Sequence, residues 1–289
     1  MLQASLFHQH GVLAPAILSA LAQYRVLALH QLQALLGVDH GLLETELQAL
    51  RQHGYIAAVT GFGRREDDTT VSAWVLRRAG AKAASGALGG EFVTAPDTRR
   101  LQLFLAHELL VRDVAISFHL LQKAGHIERV DIEHRAEHLK LSTRTRHINA
   151  QGLVSLVPDL VVRVKTAEQL QILIVEVDMG SVQSARMEKK YQRYFSLFRE
   201  RAWLSRFGTA NVRVLTTAPR GARLTLLRRL AIGAVGGTGT GLFWFLPNEL
   251  VSVHSPHTLL DANYLIAREP PSLVPLFASC MAVRRSPTG

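Results

Sequence analysis

The chain has 289 residues, 48% hydrophobic and 19% charged, a balance that excludes a largely disordered protein and leaves room for two domains or one large one. Its formal net charge of +10 and sequence pI near 10.3 point to polyanionic partners, nucleic acid or an acidic membrane surface. No apolar run reaches the roughly 18 residues of a membrane span, the start lacks a basic segment before an apolar one, and Cys280 is the sole cysteine, so a membrane span, an export signal, a disulfide framework and a Cys-based zinc site are all set aside in favour of a cytoplasmic protein.

The first predicted helix covers residues 15–24, with Ile17, Leu18 and Leu21 inward, and the second covers 30–36. Asp39 can cap a third, running to about His53 with Leu43, Leu47 and Leu50 as its buried stripe and Gly54 at its end. Two strands, 55–60 and 71–76, enclose the polar stretch 61–68. Three short helices and a hairpin make a winged helix, assigned to residues 1–90. Its candidate DNA contacts are Arg51 on the third helix and Arg64 and Arg65 in the wing. Glu44 and Glu46 suit a phosphate-lined groove poorly, so the competing use of this domain is protein contact or dimerisation.

A Gly- and Ala-rich linker is expected over 85–96, then a long helix capped by Asp97 and carrying Leu101, Phe104, Leu105, Leu109, Val114 and Phe118. A strand at 127–134 and a basic loop at 135–155, with Arg144, Arg146 and His147, lead to the most informative stretch. There two short β-branched runs, 160–164 and 170–177, flank the polar residues 165–169. A turn centred on Ala167 and Glu168 places Asp159 opposite Glu176. Facing residues have Cβ atoms roughly 4.5–5.5 Å apart, and like charges there repel. Such a pair needs a cation, and Mg²⁺ or Mn²⁺ is the natural oxygen-ligated candidate. An odd-length turn would instead shift the register by one and send the two acids to opposite faces.

The next helix, capped by Ser181, has Met187, Tyr191, Tyr194 and Phe198 as its apolar stripe. At about 100° per residue, Lys190 lies on the flank of that stripe and Lys189 nearly opposite it. Residues 186–229 hold twelve basic side chains against Glu188 and Glu200 alone. Arg186, Lys189 and Arg193 open this run and are the candidate contacts to DNA. A strand at 212–216, a helix at 224–232 and a strand at 242–246 follow. The glycine-rich 233–241 lacks the Gly-Lys-Ser/Thr of a phosphate-binding loop and is read as a turn. Residues 250–267 are expected to pack back on the core, and 268–289 to form a loosely held tail.

Pro158-Asp159 followed by Glu176-Val177-Asp178 resembles the PD-(D/E)XK nuclease superfamily, in which an Asp begins one strand, a Glu-x-Lys lies on the next, and the acids hold a metal ion. Asp178 stands where the lysine is expected. Some members of that superfamily supply the lysine from the following helix, a role that falls here to Lys190. The piece H-E-L-L-V-R-D-V at 107–114 resembles the helix before the nuclease-like sheet, which brings His107 and Glu108 in as a further helix contribution. With W-V-L-R-R-A-G-A-K-A-A at 74–84, the whole resembles the replication-relaxation family of bacterial plasmids and mobile elements over residues 13–245.

The resemblance implies an α/β (α+β) fold, with an N-terminal winged helix followed by a restriction-endonuclease-like mixed sheet flanked by helices over 91–267. It implies Asp159, Glu176 and Lys190 as catalytic residues and Asp159, Glu176 and Asp178 as ligands of Mg²⁺ or Mn²⁺. It implies a role in plasmid replication or DNA mobilisation on double-stranded DNA, beside other replication or mobilisation proteins and away from membranes. A metal-dependent endonuclease or nickase is one functional reading. The displaced lysine favours the other, a non-catalytic DNA-binding regulator of replication or transfer. An interaction subunit of a transposition or replication complex is the third.

Overall fold

Asp39 starts the helix that organises the N-terminal unit: its Oδ1 accepts from the backbone N–H of Gly41 at 2.8 Å and of Leu42 at 3.2 Å, satisfying donors that a helix start leaves open. In the computed structural model, which describes residues 13–62, 70–87, 94–134, 156–261 and 263–277, this helix is α3 (His40–Gln52). It follows α1 (Leu13–Tyr24) and α2 (Leu29–Leu36), and Leu43, Leu47 and Leu50 form its buried stripe. Strands β1 (Ile56–Phe62) and β2 (Thr70–Leu76) pair antiparallel from Ile56 with Leu76 to Phe62 with Thr70. Leu27 adds a bridge to Trp74 on the other side of β2, completing a winged helix. Arg64 and Arg65, the loop at 135–155 and Cys280 lie outside the described residues.

Three more helices follow: α4 (Arg78–Ala87), α5 (Thr98–Leu103) and α6 (Leu105–Lys123). Leu101, Leu105 and Leu109 join Val26, Ala28, Val59, Ala73 and Val75 in one buried cluster. The buried amide of Gln31 reinforces it, accepting from Ala28 N–H and donating to the Leu109 carbonyl at 2.8 Å and to Asp113 Oδ1 at 2.7 Å. By their contacts the chain's two compact units divide between Ile116 and Ser117.

The second unit is built on a seven-stranded mixed sheet, ordered β3 (Arg129–His134), β4 (Leu160–Lys165), β5 (Leu170–Val177), β6 (Val212–Ala218), β7 (Thr240–Pro247), β8 (Tyr264–Ala267) and β9 (Leu273–Val274). β3, β4 and β5 form an antiparallel meander, β5, β6 and β7 run parallel, and β8 and β9 return antiparallel. Each parallel step crosses over through helices, α7 (Ser184–Arg199) with α8 (Ala202–Phe207), then α9 (Ala222–Ala234). Met187, Tyr191, Tyr194 and Leu197 of α7 and Leu224, Leu227 and Ala231 of α9 pack in one core with Ile172, Ile174, Val214, Phe243 and Phe245 of the sheet. The fold is thus α/β, a winged helix followed by a restriction-endonuclease-like mixed sheet flanked by helices. No helix among the described residues is long and apolar enough to cross a membrane.

Residues 268–277 are not a loose tail. β9 closes the sheet, Leu276 and Phe277 are buried, and Arg228 of α9 bonds to the Arg268 carbonyl at 2.7 Å and the Glu269 carboxylate at 2.6 Å. The short strand was hidden in the sequence by its prolines and by having only two residues.

Gly80 sets how closely α4 approaches the start of β1. A Cβ there would lie 2.1 Å from the Tyr55 carbonyl oxygen, which already accepts from Arg77 N–H. Gly→Ala within a helix ordinarily stabilises by roughly 0.5–1 kcal/mol. Here Gly80→Ala should instead destabilise by about 1–3 kcal/mol, as overpacking does, and urea denaturation measures the sign directly.

Candidate functional site

The β4–β5 hairpin sets the site. Its register runs from Leu160 opposite Val175 to Lys165 opposite Leu170, and Thr166 N–H donates to the Gln169 carbonyl across the turn. One step beyond the ladder, Asp159 comes opposite Glu176. Its N–H donates to the Val175 carbonyl at 3.1 Å, and its Oδ2 accepts from Val177 N–H at 2.8 Å. Alternation puts Asp159 on the face of Val161 and Glu176 on the face of Ile172 and Ile174, the face covered by α7. The two acids therefore share one face of the sheet.

Glu176 is only 3% exposed, and α7 meets both of its oxygens. The Lys190 ammonium donates to Oε2 and the Tyr194 hydroxyl to Oε1. Lys190 and Tyr194 are four residues apart and so project side by side from the helix. Burial pushes the Glu176 pKa up to about 7, against the lowering effect of Lys190 and with a further rise from the charge of Asp159. Burial and the neighbouring carboxylates also hold the Tyr194 hydroxyl well above its ordinary pKa. Behind these groups, Tyr194 stacks on Trp203 and Trp203 on Phe207, at ring separations of 6.3 and 6.1 Å. The Tyr191 hydroxyl bonds to Thr216 Oγ1 at 3.1 Å, and its ring lies edge-on to Phe243. Lys190 thus places a positive charge on Glu176, beside the facing Asp159.

Asp178 is engaged elsewhere. Its Oδ1 accepts from Gly180 N–H at 2.6 Å, and its Oδ2 receives Arg223 Nε at 2.6 Å and Nη2 at 2.5 Å. Arg223 also bonds to the Val182 carbonyl at 2.7 Å. β5 ends at Val177, and the turn through Gly180, with φ of +86°, leaves Asp178 to the α9 arginine, so it does not pair with Lys190. Among the described residues, no three His, Cys, Asp or Glu side chains gather to hold a metal ion. Asp159 and Glu176 alone match the one or two carboxylates that Mg²⁺ takes beside its waters, with Glu176 shared with Lys190.

Glu108 is buried on α6 in the N-terminal unit and ion-paired to Arg112 at 3.0 Å, and His107 precedes it on that helix. Arg51 is exposed on α3. Two groups stand out in the basic run of 186–229. Lys190, Arg206, Arg213, Arg223 and Arg228 serve internal contacts, with Glu176, Glu133, the Val212 carbonyl and Trp244 ring, Asp178, and Glu269. Arg186, Lys189 and Arg193 line one surface depression along the outer side of α7 with Gln183 and Ala185. None of these three is in an ion pair among the described residues.

A family description, replication-relaxation, matches residues 18–212. The chain belongs to the replication-relaxation family. The match takes in the winged helix, Asp159, Glu176 and Lys190, and ends at the first residue of β6. Among solved structures, restriction endonuclease FokI bound to DNA is similar at 11% identity and a TM-score of 0.31, over 85% of this chain and 44% of that one. The replication-relaxation chain thus spans less than half the length of that structure. No curated protein matches it at a significant level.

Tyr194 and Arg223 were not recognisable as site residues from the sequence. Tyr194 was part of the helix stripe, although a buried tyrosine hydroxyl normally needs a partner and Lys190 lies one turn away. Arg223 is 45 residues from Asp178 and one arginine among many.

The raised Glu176 pKa makes a stability prediction. The folded state keeps this proton while the unfolded chain, with a value near 4.5, releases it. Glu176 therefore contributes stability below pH 4.5 that is lost as pH rises through about 7. Relative to Glu176→Gln, which cannot titrate, the wild type should lose stability steadily as pH rises between those limits. Thermal melts of both proteins across that range check it, and a pH-independent difference would contradict it.

Proposed function

We propose that the chain is a DNA-binding protein of plasmid replication or DNA mobilisation, with the nuclease-like core acting as a binding scaffold and not as a cutting site. The observation that carries this reading is the outer side of α7, where Arg186, Lys189 and Arg193 line one depression with no acidic partner among the described residues. Three cations at this spacing follow one helix face over about 10 Å, and the overall charge of +10 adds long-range attraction for a polyanion. The same helix turns Lys190 inward to Glu176, so its two sides divide between holding the fold and meeting phosphate. The internal use of Lys190 and Asp178 supports a scaffold role.

A second reading, metal-dependent cleavage, is supported by Asp159 and Glu176 sharing one face beside a lysine. In that reading these two carboxylates would hold Mg²⁺ or Mn²⁺, and the bound ion would activate water and offset charge on the phosphate. Lys190, a quarter exposed, would have to release Glu176 and remain alongside it as a positive neighbour. Tyr194 would keep Glu176 oriented through its hydroxyl.

Fluorescence anisotropy with duplex DNA across a salt series tests the first reading. The wild type should bind at low salt with steeply salt-dependent affinity. Replacing Arg186, Lys189 and Arg193 with Gln should flatten the log K against log salt slope by about 2.7, at roughly 0.9 for each phosphate no longer neutralised. Incubation with supercoiled plasmid and Mg²⁺ or Mn²⁺ should leave the DNA intact. Nicking that disappears in Asp159→Asn and in Lys190→Ala would overturn the scaffold reading in favour of cleavage.

A further inference from the structure

Among the described residues of the N-terminal unit, α4 carries more exposed cations than α3 and no acid beside them. On α3 the exposed side chains include Leu42, Glu44, Thr45, Gln48 and Arg51, and Glu44 lies 3.6 Å from His40. Glu44 and Arg51, seven residues apart, lie on the same side of the helix, so the cation there has an acid beside it. On α4 the pattern is reversed. Ala81 and Ala84 are buried, and Gly80 lies against the Tyr55 carbonyl, which leaves Arg78, Ala79, Lys82 and Gly86 on the outer side. Arg77, exposed just before the helix, adds a third cation. Residues 78–87 contain no acid, and none of the three cations is in an ion pair among the described residues. Small residues inside and cations outside make α4 a helix whose exposed chemistry is almost purely positive.

We infer that the winged helix holds the phosphates of duplex DNA on the outer face of α4, through Arg77, Arg78 and Lys82, and not on α3. The inference rests on the DNA-binding reading above and adds where the N-terminal unit makes contact. Charge complementarity selects the occupant: three cations with no ion-pair partner among the described residues fit a phosphate row, whereas α3 brings the Glu44 carboxylate toward one. Arg78 and Lys82 are one turn apart, about 6 Å along the axis, close to two steps of roughly 3.4 Å along one DNA strand. The contact reads charge and not base sequence, because phosphates position a protein without carrying sequence information. The close approach at Gly80 fixes the helix on the hairpin, so these cations move with the winged helix as one piece.

The test uses the full chain, with Arg77, Arg78 and Lys82 all replaced by Gln, a residue of similar helix propensity. Melting temperature should be nearly unchanged, since exposed substitutions seldom alter stability. The log K against log salt slope for duplex DNA should flatten by about 2.7. Arg51→Gln on α3 should leave the slope at its wild-type value. Arg77→Lys with Arg78→Lys should restore wild-type binding, because charge is what is read. If the triple variant fails to fold, the Arg78→Gln, Lys82→Gln pair gives the same reading, with the slope flattened by about 1.8. A wild-type slope in a folded triple or double variant, or a slope that flattens with Arg51→Gln instead, overturns the α4 assignment and leaves DNA binding standing. A wild type that binds no duplex at any salt removes DNA binding itself.

Discussion

Glu176 is a carboxylate in the middle of an apolar sheet, and how it is accommodated governs the C-terminal unit. Burying an isolated charge costs several kcal/mol even after relaxation. The chain offsets that cost with Lys190 and Tyr194 from α7 and by raising the acid's affinity for a proton. Each solution requires α7 to lie where it does. Two residues further on, Asp178 imposes the same demand on α9 through Arg223, which also ties down the chain leading into α7 through the Val182 carbonyl. Glu176 near the end of β5 and Asp178 just beyond it therefore align α7 and α9 over the sheet. Apolar packing of Tyr191, Leu197, Leu227 and their neighbours supplies the bulk of the favourable energy, but it has no direction. The two buried pairs supply the direction.

Much of this was legible from residue order. The two apolar runs and the polar residues between them were enough to predict the hairpin, and of the two registers the turn allowed, the structure has the one that sets Leu160 opposite Val175 and so brings Asp159 opposite Glu176. Asp39, with Leu43, Leu47 and Leu50 behind it, defined α3 for the same kind of local reason. The hidden features depend on contacts distant in sequence. Gln31 reaches Leu109 and Asp113, more than seventy residues away, and so moves α5 and the start of α6 into the first unit. Arg223 meets Asp178 across a complete strand–helix–strand crossover. A count of basic residues could not separate cations that face water from those that hold the structure together, and nearly half of the run 186–229 proved to be of the second kind. Helical periodicity alone put Lys190 on the flank of the α7 stripe, and the packing of α7 on the sheet is what brings it to Glu176.

The order of strands has a consequence for how copies of this protein behave toward one another. An open sheet leaves a row of unpaired backbone groups at each edge, a template on which another chain can assemble. Among the described residues the edges are β3 and β9. β9 is two residues long, too short to seed pairing. β3 carries Arg129, Asp131 and Glu133 at alternate positions, with Arg129 closed onto Asp131 and Glu133 onto Arg163 and Arg206. Any incoming strand would have to desolvate those charges before gaining a hydrogen bond. With a net charge of +10 on every copy, mutual repulsion acts in the same direction. The features that make the chain attractive to a polyanion thus also keep its sheet from becoming the seed of an aggregate.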